Sequence, residues 1–191
     1  EIPNHDDDGA LNLGIADRQV TGILVSGSAE NPVLYVTSSD PRIANFLDSN
    51  LDTNSGILSR LSWNGTAWDK VDLVRGLPRS EENHSTNGMI LSADGTRLLI
   101  AQGGNTNNGA PSAFFSNTSE FALAGAVLEV DLVALDAMAD KTHTYAPGLT
   151  STFRYDLPTL NDPTVADDGI VGHETAGGLD VGGPFGGNDG L

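Results

Sequence analysis

The chain contains no cysteine, which removes disulfides, thiolate metal sites and cysteine nucleophiles together. It contains no run of about 18 apolar residues, so it offers no membrane-spanning helix. Basic residues are scarce, with 9 Lys and Arg against 26 Asp and Glu and a net charge of −17. A field of that sign repels phosphate backbones and argues against nucleic acid as a partner. It suits salt water, divalent cations or plain solubility. Helical spacing is nearly absent too, since only "LVALDAMAD" (Leu132–Asp140) carries it, and that stretch is too short to be a major element. No glycine-rich phosphate loop precedes a helix and no G-x-S-x-G elbow occurs, which disfavours nucleotide chemistry and serine hydrolysis. His5, His143 and His173 have no histidine partner at ligand spacing, so zinc is unsupported. The opening residues Glu1–Asp8 lack a signal-peptide pattern; the expectation is a removed signal or a piece of a longer protein.

What is present is a succession of short alternating and β-branched segments. They are Val20–Ser26, Val33–Ser39, Gly56–Trp63, Trp68–Val74, Gly88–Ser92, Arg97–Gln102, Ala126–Leu132 and Thr152–Leu157. Asn64-Gly65 and Asp94-Gly95 read as tight hairpin turns between neighbours. The pattern predicts an all-β protein. It also repeats: "GILVSGSAENPVLYVTSSD" from Gly22 aligns with "GMILSADGTRLLIAQGG" from Gly88, and Gly56 aligns with Gly125. Each module ends in a strand closing on Leu-Pro, at Leu77-Pro78 and at Leu157-Pro158. Four strands per module, repeated with polar insertions, predicts β-propeller blades over 20–80 and 86–160; the alternative is a β-sandwich. Residues 161–191 read as a glycine- and aspartate-rich connection. Because a propeller closes with about four to eight blades, two modules imply a partial propeller. Its remaining blades, or further copies in a homo-oligomer, would complete it.

Three stretches carry a family resemblance: "VLYVTSSDPRI", "LDTNSGILSRLSWNGTAWDKVDLVRGLPRSEENHSTNGMILSADGTRLLIAQGGNTN" and "PFGGNDG". Together they resemble the glucose/sorbosone dehydrogenase family, six-bladed propellers that include the soluble quinoprotein glucose dehydrogenases. The resemblance spans most of residues 20–132 and the tail from Pro184, and it is nearest to a branch found in large secreted bacterial proteins. It implies a secreted or periplasmic protein that oxidises a carbohydrate or polyol hydroxyl by hydride transfer to pyrroloquinoline quinone, with Ca²⁺ at the cofactor. It also implies that His84, standing before the Gly88–Asp94 strand, is the base. The family places a supporting carboxylate in a Gly-Asp pair after the next strand, where this chain reads Gly103-Gly104. The residues that hold the quinone come largely from later blades.

The residues themselves are compatible with that chemistry. An imidazole titrates near working pH and is the natural acceptor for a hydroxyl proton. Asn83, Asn87, Gln102 and Asn105 gather around His84 in sequence, and amides both donate to and accept from sugar hydroxyls. Turn-forming asparagines give the same composition without any ligand. Asp48, Asn50 and Asp52 fall at alternate positions in "DSNLDTNSG" and form a candidate Ca²⁺ loop, though the EF-hand glycine and glutamate are lacking. The expectations are thus a sugar dehydrogenase-like propeller, or a non-catalytic module that binds carbohydrate or Ca²⁺ and assembles through open sheet edges.

Overall fold

The computed structural model describes residues 2–4, 14, 17–41, 55–79, 84–104, 110 and 123–157. Within them the alternating segments form strands β1 (Gln19–Gly27), β2 (Pro32–Ser39), β3 (Gly56–Trp63), β4 (Trp68–Leu77), β5 (Thr86–Leu91), β6 (Arg97–Gln102) and β7 (Ala126–Asp131). A short helix α1 (Leu132–Asp136) follows, then β8 (Lys141–Ala146) and β9 (Leu149–Asp156). The protein is all-β. Sheet I runs β1-β2-β3-β4-β9-β8 and sheet II runs β5-β6-β7; neither closes on itself.

The two hairpins form as expected, with loops that fall between the strand ends read in the sequence. Trp63 pairs with Trp68, so Asn64–Ala67 is the loop, and the Asn64 Oδ1 accepts from the Thr66 and Ala67 amides at 3.0 and 2.9 Å. Asp94 does the same work in the second loop. Its Oδ1 accepts from the Ser92 hydroxyl at 2.6 Å, the Thr96 amide at 3.1 Å and the Thr96 hydroxyl at 2.9 Å. Those donors hold its carboxyl at about 2, below the ordinary 3.8, the Ser92 hydroxyl contributing most. In each loop a short polar side chain imitates a backbone turn and takes up amides that the ladder leaves over.

The sequence repeat reappears as strand register. In sheet I the cross-strand rows are Leu24–Tyr35–Arg60 and Ile23–Val36–Ser59. In sheet II the corresponding rows are Ile90–Leu99–Glu129 and Met89–Ile100–Leu128. Successive side chains point to opposite faces of a strand, so each sheet has a leading face (the Leu24 row and its equivalents) and a trailing face (the Ile23 row and its equivalents). The core is the leading face of sheet I against the trailing face of sheet II. Tyr35, Leu58 and Val74 pack with Leu98 and Ile100, joined by Met89, Leu128 and Val130 and roofed by Leu132 and Leu135 of α1.

The sheets meet most closely at β1 and β5. The Thr37 hydroxyl donates to the Asn87 carbonyl at 2.8 Å, and the Thr21 hydroxyl donates to the Thr86 carbonyl. Gly22 permits this approach, because a Cβ there would lie 2.7 Å from the Asn87 carbonyl oxygen and 2.6 Å from the Thr37 hydroxyl. Toward β4 and β7 the sheets leave an apolar cleft of about 430 Å³, lined by Val74, Leu77, Leu128, Val130, Leu135 and Leu157.

The final strand departs from the repeat. Its equivalence to β4 predicts that it completes sheet II as a fourth strand, yet β9 pairs in parallel with β4, with Asp72 opposite Phe153 and Val74 opposite Tyr155. Side chains far apart in sequence hold it there. The buried Arg75 guanidinium lies 3.6 Å from the Phe153 ring centroid, and the Leu157 amide donates to the Arg75 carbonyl at 3.0 Å. Arg154 bridges Asp136 at 2.5 Å and Asp140 at 2.9 Å, while Arg60 reaches Asp136 at 2.7 Å. Burial alone would raise the Asp136 carboxyl, but the bonds from Arg60 and Arg154 outweigh it and hold the group below its ordinary value.

Candidate functional site

In an antiparallel meander alternate connections fall at opposite ends of the sheet. The short turns β1–β2, β3–β4 and β5–β6 share one end. The connections β2–β3, β4–β5 and β6–β7 share the other, and there the interior turns polar: Arg18, Ser38, Asp40, Ser55, Arg79, Ser85, Thr86 and Gln102 are all buried. Arg18 ties three strands together at this end, its Nε donating to the Ser38 hydroxyl at 3.0 Å and its guanidinium to the Ser38 and Ser55 carbonyls.

His84 stands here, half-buried, immediately before β5. Its Nδ1 lies 3.0 Å from the carbonyl oxygen of Gly104. A carbonyl can only accept, so Nδ1 carries the hydrogen and the neutral ring keeps its lone pair on Nε2. In that tautomer Nε2 is the acceptor nitrogen of the ring. The backbone carbonyl of Gly104 thereby does the orienting that the resemblance assigns to a carboxylate at that place. It stabilises an imidazolium less than a carboxylate does, because it brings a dipole rather than a full charge. Sequence reasoning, which looks for side chains, misses this acceptor; the Gly-Gly pair after β6 is the signal that could have found it.

Gly103 makes the contact possible. A Cβ at this position would lie 2.5 Å from the His84 carbonyl carbon and 2.7 Å from its Cα, so any side chain forces the two backbones apart. The Gly103 amide donates to the Ser85 carbonyl at 2.9 Å and its own carbonyl accepts from the Gly125 amide at 2.9 Å. Bonded on both sides, this backbone fixes where the Gly104 carbonyl points.

The amides predicted beside His84 divide. Asn87 is half-buried, and its Nδ2 donates to the Ser85 carbonyl at 2.9 Å. Gln102 is buried, and both ends of its amide are committed inside the protein: Oε1 accepts from the Thr86 hydroxyl at 2.8 Å and Nε2 donates to the Pro78 carbonyl at 2.6 Å. It locks β4, β5 and β6 together below His84. Asn83, Asn105, Asp48, Asn50 and Asp52 lie outside the described residues.

The loop with Asp48, Asn50 and Asp52, the candidate for the Ca²⁺ implied by the resemblance, lies outside the described residues. Among the described residues no group of three or more His, Asp or Glu could hold a metal ion. The arginines at this end, which could pair with an anionic cofactor, are buried at 6% exposure for Arg18, 1% for Arg75 and 0% for Arg79. What the site offers chemically is an imidazole oriented by a backbone carbonyl.

No protein-family model, curated protein or solved structure matches the chain.

Proposed function

We propose that this chain is a carbohydrate- or polyol-handling module of the β-propeller type, in which His84 receives the hydrogen of a ligand hydroxyl at Nε2. The contact between His84 Nδ1 and the Gly104 carbonyl at 3.0 Å carries the reading, because it places the hydrogen of the neutral ring on Nδ1 and makes Nε2 its acceptor. The propeller assignment draws support from the shared register of the two sheets and from their packing, leading face on trailing face.

In the dehydrogenase expectation the same nitrogen takes the hydroxyl proton as hydride leaves the carbon. That reaction needs a hydride acceptor as well as the base. The reading carried by His84 itself is recognition of a hydroxylated ligand, and the assay below addresses oxidation.

Titration of the ¹⁵N-labelled protein with glucose and with sorbitol tests recognition. The expected result is saturable shifts at His84 and Asn87, with affinity at least about tenfold weaker in His84→Ala, as befits loss of one directed hydrogen bond in a site. Absence of saturable shifts with either class of ligand would sink the proposal. Dye-linked oxidation of the same ligands, with pyrroloquinoline quinone and Ca²⁺ added, separates a dehydrogenase from a binding module.

A further inference from the structure

Among the described residues, the register equivalence leaves one sheet face without the cover that its counterpart has. On sheet I the leading residues Leu24, Tyr35 and Leu58 are packed against sheet II. Their counterparts on sheet II are Ile90, Leu99 and Val127. Ile90 is 63% exposed and Val127 is 72% exposed. Conversely, Met89 and Leu91 on the trailing face of sheet II are packed into the core, whereas their counterparts Ile23 and Val25 on sheet I are 64% and 69% exposed. Among the described residues, one leading-on-trailing contact is made internally, while Ile90 and Val127 on the leading face of sheet II and Ile23 and Val25 on the β1 strip of sheet I stand exposed.

We propose that these two surfaces bind each other between copies of this chain. The leading face of sheet II in one copy takes the β1 strip of sheet I in the next. The contact is heterologous, like the internal one, and either closes into a ring or continues as an array.

A glycine supports the match independently. Gly22 lets β1 approach the backbone of β5 within the chain, where a Cβ would lie 2.7 Å from the Asn87 carbonyl oxygen. Its counterpart Gly88 occupies the same place on the leading face of sheet II, where an added Cβ meets nothing within 4 Å. The space held open at Gly88 is the space that an incoming β1 needs. Charge does not oppose docking locally, because Arg97 bridges Glu129 at 3.2 Å and Asp131 at 2.7 Å. At −17 per chain the copies repel as wholes, so association strengthens as salt screens that repulsion.

With two sheets per copy, a ring of about four to eight sheets takes about two to four chains. Native mass spectrometry and light scattering of the intact chain should give such a particle, enriched in 0.5 M over 0.02 M NaCl; a monomer at both salts overturns the proposal. Ile23→Asp with Val25→Asp blocks the trailing strip, and Ile90→Asp with Val127→Asp blocks the leading face. All four side chains are exposed, so both double variants keep the fold, as circular dichroism will verify. Each is expected to be monomeric alone, and their mixture to form a 1:1 dimer through the two intact surfaces. A mixture that stays monomeric, or a blocked variant that still assembles, overturns the assignment. Gly88→Ala should weaken association on the order of thirtyfold, a hot-spot loss, with the fold unchanged.

Discussion

Replacing Gly103 with alanine puts a methyl carbon 2.5 Å from the carbonyl carbon of His84, 2.7 Å from its Cα and 2.9 Å from its oxygen. All three are backbone atoms, so no rotamer change relieves the clash and β5 must move away from the end of β6. Forced overpacking of this kind costs about 1–3 kcal/mol. The movement also stretches the bond from the Gly103 amide to the Ser85 carbonyl, 2.9 Å in the native structure; losing such a bond adds about 0.5–1.5 kcal/mol. The expected loss is roughly 2–4 kcal/mol, read as a lowered urea midpoint with an unchanged slope. Gly88→Ala is the control, since its Cβ meets nothing within 4 Å and its backbone needs no left-handed conformation. There the substitution should be neutral or stabilise by about 0.4–1 kcal/mol through the unfolded chain, measured at a dilution where copies do not associate. If Gly103→Ala costs no more than Gly88→Ala, the close approach of Gly103 to His84 is wrong, and with it the positioning of the Gly104 carbonyl.

Phe153→Leu removes the ring under the buried Arg75 guanidinium, now 3.6 Å from its centroid; it should cost about 1–2 kcal/mol and speed amide exchange at Tyr155 and Leu157 before that of β1–β3. An Asp94 carboxyl held at about 2 against 3.8 in the unfolded chain stabilises the fold above about pH 3.8, and loses that contribution as pH falls toward 2. Asp94→Ala should therefore flatten the acid limb of the melting temperature in that window and lower it slightly above it. Equal acid limbs in the two proteins would refute the assignment.

Alternation and turn chemistry were enough to locate β1 to β7 and β9, although in β2 to β4 apolar residues such as Val36 and Ile57 are buried on the second face as well. The same pattern carried the repeat down to individual cross-strand rows. β8 escaped notice because "KTHTYA" offers no apolar period, as suits a strand at the edge of sheet I. The partner of β9 was illegible for a different reason. Its equivalence to β4 pointed to sheet II, whereas contacts such as Arg75 with Phe153, distant along the chain, place it on β4. The loops 64–67 and 93–96 fall between the strand ends read in the sequence, and Asn64 and Asp94 fill them by gathering amides two and three residues onward. At the site, His84 stood out in the sequence while its orienting group did not, since that group is the backbone of a glycine. Gln102 looked equally fit for a ligand or for the interior, and the hydroxyl of Thr86 and the carbonyl of Pro78 take up both ends of its amide.

The central claim is the hydrogen on His84. Long-range ¹H–¹⁵N correlation of the imidazole, recorded with the ring neutral, reports directly which nitrogen bears it. The account predicts a protonated Nδ1 bonded to the Gly104 carbonyl, and an unprotonated Nε2 whose resonance moves on addition of a polyol that binds. A ring protonated at Nε2 and indifferent to polyol would contradict it.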